Sequence, residues 1–134
     1  MKKINLILAL FICLISYNQM NAQCISGTPY LTVTASNLPG TVTTISTCTY
    51  AGEYNTINVQ VGDTYVFTGS GATDILTLTD ESNNVIAFTT GTGTVTGTAT
   101  TGVMRLHIST DPCGSESACR TTTVECMSCI PPPP

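Results

Sequence analysis

From Tyr30 onward the chain repeats one pattern: a short run of alternating apolar and polar residues, a turn signal, then another run. Alternation with a period of two sends successive side chains to opposite faces of a strand. Residues 30–36 (YLTVTAS) form the first run, closed by Asn37-Leu38-Pro39-Gly40, a turn sequence. Residues 41–49 interleave Val42, Ile45 and Thr47, and residues 54–60 set Ile57, Val59 and then Val61 on one face. After a turn at Gly62-Asp63, Tyr65 and Phe67 are expected to face the core, and Gly69-Ser70-Gly71 is read as a loop.

Residues 74–79 (DILTLT) carry Leu76 and Leu78 inward, and the polar turn Asp80-Glu81-Ser82-Asn83-Asn84 leads to a partner run at 85–88. Residues 92–100 are almost pure Gly/Thr alternation around Val95. So little apolar surface fixes the register weakly, which predicts an edge strand. Residues 103–109 give the clearest pattern: Met104, Leu106 and Ile108 point one way, and Val103, Arg105 and His107 point the other, to solvent. Residues 120–126, with Val124 as the apolar member, close the series. Eight or nine short strands with turns between them predict an antiparallel β-sandwich with Greek-key or jelly-roll connections. Composition agrees, because Thr supplies nearly a quarter of residues 23–134 and Val, Ile and Gly much of the rest.

The two ends do not follow the pattern. Lys2 and Lys3, an apolar run from Leu6 to Ile15 and a small residue at Ala22 describe a secretory signal peptide spanning residues 1–22. The run is too short for a membrane span, which needs about twenty apolar residues. Residues 23–129 form the sandwich module. Residues 130–134 end in Pro131–Pro134, an extended semi-rigid spacer of the kind that separates domains, so further domains are expected downstream.

Removing the leader leaves two arginines, Arg105 and Arg120, against eight carboxylates, with no lysine. Such a surface repels phosphate backbones, which excludes nucleic acid as a partner. It also excludes lysine-based isopeptide crosslinks.

Six cysteines remain: Cys24, Cys48, Cys113, Cys119, Cys126 and Cys129. An even count in an exported chain predicts disulfides. The expected arrangement ties the N-terminal segment and the first core strand to the closing strand, with Cys48 bridged to Cys119 or Cys126. The competing use is zinc held by four thiolates, Cys113, Cys119 and the CxxC at Cys126-Met127-Ser128-Cys129; the long 113–119 spacing counts against it.

Catalytic chemistry has few candidates. His107 is the only histidine and lacks a nucleophile motif in the sequence around it. Asp63, Asp74, Asp80 and Glu81 could supply a carboxylate pair, but each sits at a strand end or turn, where Asp is expected for backbone reasons. The 80–84 turn has oxygen ligands for calcium without the spacing of a calcium loop. No catalytic residue and no cofactor is therefore assigned. Tyr30, Tyr50 and Tyr54 are the candidate ligand contacts, since sugar-binding sandwiches stack rings on exposed aromatics and the chain has no Trp. Glu53 is expected to pair with Arg120 or Arg105.

At YAGEYNTINV (50–59), GDTYVFTGS (62–70), ATDILTLTD (72–80), GVMRLHIST (102–110) and CGSESACRTTTVEC (113–126), the chain resembles a recurring extracellular module. That module belongs to large secreted and surface proteins of bacteria that use type IX secretion. The resemblance covers nearly all of residues 24–129. It implies a β-sandwich in a multidomain protein with accessory or adhesion roles, and it implies no catalytic residues. The expectation is a non-catalytic extracellular interaction or adhesion module, secreted or on the cell surface, whose partner is an extracellular protein or glycan. The alternative is a carbohydrate-binding module accessory to a secreted hydrolase.

Overall fold

The computed structural model describes residues 23–134, so the signal-peptide reading of residues 1–22 lies outside the described residues. Nine strands follow in order: β1 (Thr28–Thr34), β2 (Val42–Ala51), β3 (Glu53–Asn58), β4 (Thr64–Gly69), β5 (Ile75–Asp80), β6 (Val85–Thr90), β7 (Thr94–Thr98), β8 (Val103–Ser109) and β9 (Glu116–Cys126). They form a five-stranded sheet ordered β1-β3-β8-β5-β6 and a four-stranded sheet ordered β2-β9-β4-β7. Every pairing is antiparallel except β1 with β3. This is the β-sandwich that the alternation predicted. Among the described residues no helix is long and apolar enough to cross a membrane.

The core lies between the sheets. One side supplies Ile57, Leu76, Leu78, Met104, Leu106 and Ile108, and the other Ile45, Tyr65, Phe67, Val95 and Val124, all buried. The Gly/Thr run lands at the edge of the four-stranded sheet as β7, where Val95 is its one large apolar anchor. Val61 departs from the expected pattern, being 66% exposed. The strand ends at Asn58, and the turn Gly62-Asp63 swings the third apolar residue outward, so the alternation persists where the pleat does not.

Chain passage from β2 to β3 changes sheets at Gly52. This residue has φ near +96°, and an added Cβ would lie 2.7 Å from the Ser115 Cβ. Its N–H donates to the Ile108 carbonyl at 2.7 Å, which fixes the corner against β8. Only glycine meets both conditions without strain.

Disulfides join Cys24 to Cys113, Cys48 to Cys119 and Cys126 to Cys129. The Cys48–Cys119 bridge is one of the two expected for Cys48. The N-terminal segment is tied to the loop before β9 through Cys113, not to the closing strand itself. Three bridges in one domain belong to a chain that folds in an oxidising space.

A buried ion pair ties the sheets together at one end. Asp74, at the start of β5, receives Arg120 Nε at 2.6 Å and Nη2 at 3.0 Å, a two-pronged contact between the five-stranded sheet and β9. The Arg120 guanidinium also donates to Glu116 Oε2 and, at 2.7 Å, to the Ala118 carbonyl. Asp74 above all, then Glu116, hold the guanidinium charged against the cost of its burial. Glu53 is not its partner: its carboxylate accepts the Tyr50 backbone N–H at 2.8 Å and caps the corner.

Candidate functional site

Strand β8 alternates strictly. Met104, Leu106 and Ile108 enter the core, so Arg105 and His107 lie on the outer face of the five-stranded sheet. Register then builds a row across all five strands: Pro29, Tyr54, His107, Thr77 and Phe88. Beside it runs a second row, Thr32, Thr56, Arg105 and Thr79.

The centre of this face is not the solvated strand surface expected for His107. The imidazole is 1% exposed, and Thr77 and Thr79 are fully buried. Tyr54 accounts for part of this cover. Its ring centroid is 4.8 Å from that of His107, and the Arg105 guanidinium stands 5.3 Å from the same ring. Arg105 Nη1 in turn donates to Asn83 Oδ1 at 3.0 Å, reaching the β5–β6 turn. Alternation correctly assigns His107 to the outer face, but the face a side chain occupies does not determine how deeply its neighbours cover it.

His107 Nε2 and Thr79 Oγ1 share a hydrogen bond at 3.2 Å. The other ring nitrogen, Nδ1, is buried without a partner, as are Thr77 Oγ1 and Arg105 Nε. Among the described residues five buried side-chain polar atoms lack a partner, and three of them sit on this face. Buried polar atoms are nearly always satisfied, so three unsatisfied ones on one face mark it as a candidate site.

Burial, with a smaller contribution from the Arg105 charge, lowers the His107 pKa from 6.5 to about 4. In the unfolded chain the imidazole takes up a proton below its ordinary value, while in the folded chain it stays neutral down to about 4. The stabilisation is complete above pH 6.5 and is lost as pH falls toward 4. The loss is on the order of 2 kcal/mol. Urea midpoints measured across that window should therefore fall, and His107→Gln should flatten the slope; an unchanged slope in the variant would assign the effect to other groups.

Two of the three tyrosines singled out from sequence stand on neighbouring strands of this sheet. Tyr54 is on β3, and Tyr30, 48% exposed, is on β1 at an irregularity in the pairing. Tyr50 belongs to β2 of the other sheet and lines a separate open depression of about 410 Å³ with Thr28, Glu53 and Glu116. Phe88, Arg105 and Thr77 were not singled out as ligand contacts. Only register across four strands places them on one face with Tyr54.

Three of the four candidate carboxylates are engaged in the scaffold, while Glu81 stands exposed in the β5–β6 turn. Asp74 holds Arg120. Asp63 accepts the Ser128 hydroxyl at 2.9 Å. Asp80 accepts the N–H groups of Ser82 and Asn84 and the Asn84 side-chain amide, closing its own turn. These bonds, the Asn84 side chain first, hold the Asp80 carboxyl below its ordinary value. The oxygens weighed for calcium are therefore already used by the turn, with Asn83 in a left-handed conformation at its tip. The four-thiolate zinc arrangement is not formed: Cys113 and Cys119 bond Cys24 and Cys48, and the CxxC closes on itself. Asp63 approaches that bridge, and Tyr65 Oη lies 3.8 Å from Cys129 Sγ, but bridged sulfurs lack the thiolate charge a cation needs.

The outer face of the four-stranded sheet differs in kind. Thr94, Thr68, Thr123 and Thr44 stand in register across its four strands, followed by Thr96, Val66, Glu125 and Val42. Hydroxyls meet pairwise between Thr64 and Thr98 and between Thr68 and Thr123. Glu125 is the only charged residue in these rows.

The sequence matches no known protein family, and no curated protein is similar to it. Among solved structures it is similar to PliG of Aeromonas hydrophila, a periplasmic lysozyme inhibitor of g-type lysozyme. The two share 12% identity with a TM-score of 0.48, over 75% of this chain and 100% of that one.

Proposed function

We propose that the chain is a non-catalytic interaction or adhesion module of an exported protein, working through its broad sheet faces. The observation that carries this reading is the engagement of its reactive groups. Asp63, Asp74 and Asp80 are bound into the scaffold, and the lone histidine is buried and neutral at physiological pH. General acid–base work needs a titrating group within reach of a substrate, and these residues offer none. What remains accessible is surface, above all the threonine rows of the four-stranded sheet. The three bridges support export, and the resemblance in the sequence and the proline tract support placement in a larger multidomain surface protein.

The oxidised protein displayed on beads should retain cells or extracellular matrix from its source culture. Thr96→Asp combined with Thr44→Asp adds two charges, at exposed positions, to rows whose one charged residue is Glu125, and should weaken retention severalfold. Retention unaffected by these changes would remove that face from the reading. Turnover of esters, glycosides or peptides that falls with His107→Gln would overturn the non-catalytic assignment.

A second reading, a carbohydrate-binding module serving a hydrolase, is favoured by a different observation: Tyr54 and Phe88 flank a set of unpartnered polar atoms in one row of the five-stranded sheet.

A further inference from the structure

We propose that the row Tyr54–His107–Thr77–Phe88, with Arg105 beside it, is a subsite for a neutral sugar, an inference that rests on the second reading above. A pyranose ring has an apolar C–H face and an edge of hydroxyls that both donate and accept. The row offers the complement of each. Tyr54 and Phe88 lie three strand spacings apart, about 14 Å, and provide the aromatic ends.

Between them stand Thr77 Oγ1, a donor and acceptor, and His107 Nδ1, a donor or acceptor according to tautomer, with the Arg105 Nε–H donor alongside. All three are buried without a partner in the folded chain. A protein that leaves three such atoms together bears their desolvation cost unless water or a ligand satisfies them, and sugar hydroxyls can take the place of water. The bond between Thr79 and His107 Nε2 holds the ring so that Nδ1 remains the available nitrogen.

The Tyr54 ring lies beside His107 with the Arg105 guanidinium on the same ring, so its position bears on access to the row. Arg105 keeps a hydrogen bond to Asn83 and has no carboxylate in ion-pair contact among the described residues.

Charge selects the sugar class. Residues 23–134 carry two arginines against eight carboxylates, and Asp80 interacts electrostatically with Arg105 at this face. A polyuronate would meet repulsion along its length, whereas a neutral glycan would not. Neutral hydroxyls also satisfy His107 in its uncharged form.

Calorimetry of the full oxidised chain with neutral gluco-, manno-, xylo- and galacto-oligosaccharides tests the site, with oligogalacturonate as the charged probe. At least one neutral series should bind. Thr77→Val removes only the hydroxyl and should weaken binding about five- to tenfold, by the loss of one buried hydrogen bond. Phe88→Ala, at a half-exposed edge position, should weaken it comparably. The unfolding midpoint of each variant establishes that it is folded before its affinity is compared. Neutral-sugar binding that persists in both variants would place the sugar elsewhere, overturning the site while leaving the carbohydrate reading intact. Absence of binding by the unsubstituted protein to every neutral series would overturn both. Preference for oligogalacturonate would overturn the neutral class.

Discussion

Asp74→Ala should cost about 3–5 kcal/mol of folding stability, because it leaves the Arg120 guanidinium buried with its main counter-charge gone. Glu116 cannot compensate. It is largely exposed, and exposed ion pairs contribute less than about 1 kcal/mol. For a domain of this size that loss lowers the thermal midpoint by roughly 15–25 °C. The paired replacement Asp74→Leu with Arg120→Met removes both charges and both desolvation costs, and it should recover most of the loss. Thermal unfolding of the two variants separates the cases. Equal destabilisation would mean that packing around the site matters more than the charges. Gly71 belongs to the same constellation, since a Cβ there would fall 1.8 Å from Asp74 Oδ2 and displace the carboxylate from Arg120.

The second large effect is the loss of the Cys48–Cys119 bridge. It links residues 71 positions apart on β2 and β9, neighbours in the four-stranded sheet. In the chain-entropy account, closing a loop of that length stabilises by about 4 kcal/mol, chiefly by restricting the unfolded chain. The Cys126–Cys129 bridge, with a separation of 3, should contribute only about 2 kcal/mol on the same account. Urea unfolding of Cys48→Ser/Cys119→Ser and Cys126→Ser/Cys129→Ser therefore predicts a clear order. If the short bridge proves the costlier one to lose, local packing against Tyr65 and Asp63 outweighs loop length. These two residues approach Cys129.

Strand positions were legible because alternation is imposed by the pleat itself. Tyr65, Phe67, Leu76, Leu78, Met104, Leu106 and Ile108 all lie where a period of two puts them. Two kinds of feature were not legible. The start of β9 at Glu116 carries an exposed stretch, ESAC, with no large apolar side chain to mark it, so pairing with β2 alone makes it a strand. The depth of His107 depends in part on Tyr54, which is 53 positions away and joins it only through register. For the same reason, the sequence singled out Tyr30 and Tyr54 as contacts without identifying the polar atoms between Tyr54 and Phe88. Arg120 was named as a cation, but its partner Asp74 looked like an ordinary strand-start aspartate.

The strand order also sets a clock. β8 lies between β3 and β5, and β9 between β2 and β4, so the strand at the heart of each sheet is among the last made. Until residues 103–126 are delivered, the earlier strands have only the β1–β3, β4–β7 and β5–β6 pairings available. No sandwich can close on those alone. Closure of both sheets must therefore wait for residues 103–126. Collapse then proceeds through long-range pairings, which are slow to form.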